Sequence, residues 1–190
     1  MSDPDGGTAH SETDPVAVIG RWLTYTGLLL ALGLDVFHWV VIRDGPIRPT
    51  LARLLGVALL ISGAATIVAA AASGLEAGSV GDYLLGSRNG LLQLARGLLA
   101  GAGGVAIMLI APRFVGSVAG ATGLGGIILL ILAGHASALP GPVPVIGGIV
   151  HVAGAAVWIG GIVALLGLAT RPGTAAVLLG GMIGTTRLLG

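Results

Sequence analysis

The chain has no cysteine, no lysine and little charge of either sign. Without cysteine there can be no disulfide framework and no thiolate metal site, so any soft-metal chemistry must use His, Met or carboxylate. Charged residues are 9% of the sequence, against roughly 25% in a soluble domain. A surface so poor in charge cannot be solvated by water, and lipid is the solvent that suits it. All nine basic residues are Arg, and the net charge of +1 gives no reason to expect a nucleic-acid partner. There is no phosphate-binding glycine loop, no Ser/His/Asp set and no paired carboxylate motif, so the chain is not expected to be a hydrolytic enzyme. Apolar residues make up 55% of the chain, and the mean hydropathy is +1.01.

A transmembrane helix needs roughly 20 mostly apolar residues. Such runs lie at about 18–42, 51–73, 90–111, 115–138 and 146–169, with a shorter one at about 174–190. The expected fold is therefore all-α, a polytopic transmembrane bundle of about six helices in one domain, residues 16–190. Residues 1–15 read as a disordered acidic tail, with Asp3, Asp5, Glu12 and Asp14 and no basic residue. Gly45-Pro46, Pro49, Pro112, the Leu139-to-Pro144 segment and Arg171-Pro172-Gly173 separate the runs, and 74–90 reads as a longer polar loop. Short cytoplasmic loops favour Arg. An extracytoplasmic N-terminus puts Arg43, Arg48, Arg53, Arg113 and Arg171 inside and Arg21, Arg88 and Arg187 outside, and is the orientation expected. Gly97 with Gly101, and Gly116 with Gly120, are spaced for close helix packing in lipid.

Polar groups inside such runs are costly and are functional candidates by default. His135 and His151 flank the Pro-rich connection, and continuous helices on both sides would bring them to similar depth near the outer face. Two neutral imidazoles on neighbouring helices can ligate a metal ion or a haem iron. The plain alternative is that each bonds a backbone carbonyl and packs. Trp158 shares the helical face of His151 and Ala155 and could support a cuprous ion through a cation–π contact. Asp35 and His38, spaced i, i+3 on the first helix, read as an exit or proton-coupling pair, or as a structural ion pair with Arg43 or Arg96. Arg96, about two turns into the third run, reads first as a structural partner of Asp35.

Gly134-His135-Ala136, a spacer, and then His151 through Ala155-Ala156 to Trp158-Ile159-Gly160-Gly161 resemble the signature of the copper resistance protein D (CopD) family. Arg21-Trp22, and Leu84-Leu85-Gly86-Ser87-Arg88-Asn89-Gly90 running on to Arg96, are similar to two further stretches of that family. The resemblance covers about residues 20–170. It implies copper transport or copper resistance at the plasma membrane, alongside a periplasmic copper-binding protein, with His135 and His151 as the copper contacts. Family members often carry a His just after the opening Arg, where this chain has Thr24-Tyr25, and they usually have about eight helices. So short a chain is expected to be an accessory form or to complete its bundle as a homo-oligomer. Two other readings stay open: a b-type haem electron carrier using the same histidines, and a non-transporting subunit of a membrane complex.

Overall fold

The computed structural model describes residues 15–42, 47, 49–134 and 139–169, and every regular element among them is helical. The order is α1 (Pro15–Phe37), continued by a π-helical stretch His38–Ile42, then α2 (Pro49–Glu76), α3 (Val80–Gly86), α4 (Arg88–Leu109), a 3₁₀ turn Pro112–Phe114, α5 (Val115–Ala133) and α6 (Val143–Ala169). Five helices are long and apolar enough to cross a membrane: Val18–Val40, Pro49–Glu76, Arg88–Leu109, Pro112–Ala133 and Val143–Gly167. The all-α bundle expected from the sequence is therefore present. The acidic tail before Pro15 and the sixth apolar run at 174–190 lie outside the described residues.

The 74–90 stretch is not the open polar loop expected. It holds α3, and two serines turn the corners around it. Ser79 Oγ accepts the Asp82 amide at 3.3 Å, capping α3. Ser87 Oγ donates to the Tyr83 carbonyl at 2.7 Å and accepts the Gly90 amide at 2.9 Å, so one hydroxyl closes α3 and caps α4. A Cβ at Gly90 would collide with the Tyr83 carbonyl. The Ser87-to-Gly90 stretch thus has a structural task, the tight α3–α4 corner.

Interhelical contact depends on small residues. A Cβ on Gly63 of α2 would stand 2.7 Å from the Gly97 carbonyl oxygen and 2.8 Å from the Gly101 amide nitrogen of α4, and one on Gly97 would stand 2.7 Å from Ile67, whereas one on Gly101 would meet nothing within 4 Å. Gly63 and Gly97, rather than the expected Gly97/Gly101 pair, allow the close α2–α4 approach. Gly116 and Gly120 act differently. Both face the Asp35 carboxylate of α1, and the pair makes room for a polar side chain instead of a backbone. On the other side of α1, Gly33 meets Ala156 and Gly160 of α6 backbone to backbone. The central core is Leu28, Ala31, Leu32, Leu55, Leu59 and Ile127, all buried. Hydroxyls stitch α1 to α2 within it. Ser62 Oγ donates to the Thr24 carbonyl at 3.0 Å, and Thr24 and Thr66 Oγ1 share a hydrogen bond of 2.8 Å.

Candidate functional site

Two cavities open side by side at the bundle end formed by the start of α1, the end of α2, the start of α4, the end of α5 and the start of α6. The first, about 390 Å³, lies between α1, α5 and α6, within the size range of small-ligand pockets. Its wall is Tyr25, Leu28 and Leu29 of α1, Ile127, Leu130, Ile131 and Gly134 at the end of α5, and His151, Val152 and Ala155 of α6. Apart from Tyr25 and His151 its side chains are apolar. The exposed His151 thus borders an oily cleft whose other polar side chain is a phenol.

His135 lies outside the described residues, but its sequence neighbour Gly134 lines this cleft. The expected helical register around the two histidines needs correction. α5 ends at Ala133, with Gly134 as an extended C-cap (φ −93°, ψ −178°). α6 begins at Val143, which puts His151 two turns into its helix, not one. The Pro140-Gly141 turn between them carries its left-handed residue at Gly141, φ +85°, as a type II turn requires. Trp158 points away from the cleft, 72% exposed on the outer side of α6. The family-like Gly160 has a packing role against Gly33.

The second cavity, about 320 Å³, is polar. It is lined by Gly20, Arg21, Thr24 and Tyr25 of α1, Thr66, Ala69 and Ser73 of α2, Tyr83 of α3, Asn89, Gln93 and Arg96 of α4, and Leu130, Ala133 and Gly134 at the end of α5. Arg96 is only 9% exposed, and its Nε has no hydrogen-bond partner. Its electrostatic neighbour is Tyr25. The expected ion pair with Asp35 is not formed. Tyr25 and Asp35 are ten residues apart on α1, about 15 Å along a helix, and Arg96 sits at the Tyr25 level. Arg21, Tyr25 and Asn89 stood out in the sequence only for loop charge or family resemblance, and Tyr83 and Gln93 did not stand out at all. The spacing i, i+4, i+7 of Asn89, Gln93 and Arg96 on an otherwise apolar helix could have found the polar face of α4.

Asp35 and His38 come together near the far end of the bundle. The carboxylate lies against Gly116 and Gly120, with His38 and the Trp39 indole beside it, and its Oδ1 is buried without a hydrogen-bond partner. The His38 and Trp39 rings meet edge to face, centroids 6.4 Å apart. Between this group and the His151 cleft stands apolar packing, with Leu28, Ala31, Leu32 and Leu34 of α1 all buried. The described residues thus hold two polar ends and an apolar middle. No group of three or more His, Cys, Asp or Glu among them is placed to hold a metal ion. Compared with known proteins, the chain matches no family model, no curated protein and no solved structure.

Proposed function

We propose that the chain handles copper in a membrane, taking a copper ion as cargo in the cleft between α1, α5 and α6. The observation that carries the reading is the composition of that cleft. His151 lines it, Gly134 just before His135 lines it, and so does Tyr25 of the Thr24-Tyr25 pair, where this chain departs from the histidine often found in the copper resistance protein D family. The two stretches that carry the resemblance thus border one cavity together with that point of departure. An imidazole bordering an apolar cavity suits a soft monovalent metal ion, because the aliphatic wall offers no competing oxygen ligand beyond Tyr25. In this reading His151 and His135 hold the ion together, and each second ring nitrogen is left for the hydrogen bond that fixes its tautomer. Onward movement toward Asp35 and His38 requires the apolar middle of α1 to open, so the resting bundle is closed to ions.

Isothermal titration of purified protein with cuprous ion in detergent tests the reading. His151→Ala and His135→Ala should each remove most of the binding, and the double variant should be little worse than either, as expected for groups that act as one unit. Small, additive losses would mean two separate packing histidines. A Soret band in the purified protein's visible spectrum would turn the assignment to haem b.

A further inference from the structure

The polar cavity is positively charged and, among the described residues, has no counter-charge. Arg21 and Arg96 both line it, and no Asp or Glu does. Arg96 lies eight residues into α4 from Arg88, about 12 Å along the helix. A guanidinium held there without an anion is costly, because burial removes water and no carboxylate replaces it. Arg96 is more than nine-tenths buried, and none of the described hydrogen bonds or ion pairs engages it.

The other side chains add donors. Tyr83 Oη accepts hydrogen bonds from Asn89 Nδ2 and Gln93 Nε2, each 3.1 Å long. Its acceptor capacity is thereby filled, and its own proton is left to donate. Tyr25 brings a second phenol to the same cavity. Two guanidiniums and two hydroxyl protons around one space match a tetrahedral oxyanion, since arginine binds phosphate oxygens through paired N–H groups and the charge strengthens each bond.

We propose that this pocket binds a phosphate group, with Arg96 as its buried anchor and Arg21 closing over it from the rim. A free phosphate ion and the headgroup phosphate of an anionic lipid present the same chemistry. The proposal does not depend on copper binding, because the His151 cleft contributes only shared wall residues.

The test uses the full chain in an uncharged maltoside detergent, stripped of anionic lipid, with thermal unfolding followed by tryptophan fluorescence. Inorganic phosphate is titrated in one arm, short-chain phosphatidylglycerol in the other, and sodium chloride at matched ionic strength serves as reference. A saturable rise in melting temperature beyond the chloride reference is expected in at least one arm. It should be abolished by Arg96→Gln and shifted about tenfold to higher ligand concentration by Arg21→Gln, the loss expected for one charge-assisted contact. A response to phosphate identifies a free-oxyanion site, and a response confined to the lipid identifies a headgroup site. If Arg96→Gln does not fold, Arg21→Gln and Tyr83→Phe carry the test, each with a weakened response. No saturable response in either arm, or a response undiminished in the variants that fold, overturns the proposal.

Discussion

Tyr25, Leu130 and Gly134 form a common wall between two cavities of similar size and opposite character. On one side α2, α3 and α4 bring hydroxyls, amides and Arg96, and the start of α1 adds Arg21. On the other, α5 and α6 bring aliphatic side chains and one histidine. The two arginines would repel a bare cation from the first cavity, and the second offers a cation only direct ligation. An anion would be drawn to the first and would find no donor in the second beyond a phenol and an imidazole. The two cavities thus differ in charge over a single side chain's width, according to the helices that supply each wall.

The largest effect expected from breaking this arrangement falls on the histidine side. His151→Ala should weaken cuprous-ion affinity by more than about 100-fold, beyond the range seen when an outer-shell partner of a metal ligand is lost. The same variant should leave the phosphate response of the polar cavity unchanged, and titrating each ligand on the one preparation checks both halves. The next effect is on packing. Gly160→Val should destabilise the bundle by about 1–3 kcal/mol, since its side chain must enter the α1 backbone at Gly33. The shift in melting temperature should come with loss of the copper site, because α6 forms one wall of the cleft.

Tyr25→His sharpens the comparison. It puts an imidazole beside His151 in the apolar cleft and removes a phenol from the polar one. Copper affinity should rise about tenfold, the value of about 1.4 kcal/mol of added ligation, while the phosphate response weakens. Unchanged copper affinity would show that position 25 and His151 do not face a common ion. The smallest effect is expected at Gly101→Ala. A Cβ there meets nothing within 4 Å, and alanine is favoured over glycine in a helix by up to about 1 kcal/mol. The melting temperature should hold or rise slightly, whereas Gly63→Ala, whose Cβ would press on the α4 backbone, should lower it.

Much of this was legible from residue order alone. The helix positions follow from apolar runs long enough to span lipid, and Gly97 marked the α2–α4 crossing, although its spacing partner Gly101 has open space where a Cβ would stand. His151 stood out because imidazole is rare in such surroundings. Other features were not legible. The partner of Gly116 and Gly120 turned out to be the Asp35 side chain, since spacing reports where a neighbour can approach but not which one does. The corner at Ser87 looked like open loop, because a seven-residue helix leaves too short a periodic pattern to read. Arg96 and Asp35 looked like partners because opposite charges in lipid usually pair, and the helix register keeps them apart.

By itself, the sequence determined that the chain is a helical membrane bundle, because 55% apolar and 9% charged residues arranged in long runs can satisfy their backbone only as helices in lipid. It also named the few polar groups that lipid makes costly. Only the tertiary structure decided which of them share a cavity. Tyr25 stands between His151 and Arg96 because α1 crosses α2 on one face through Thr24 and Thr66 and meets α6 on another through Gly33 and Gly160. Those crossings are fixed by contacts between residues far apart in the chain, and local order does not encode them.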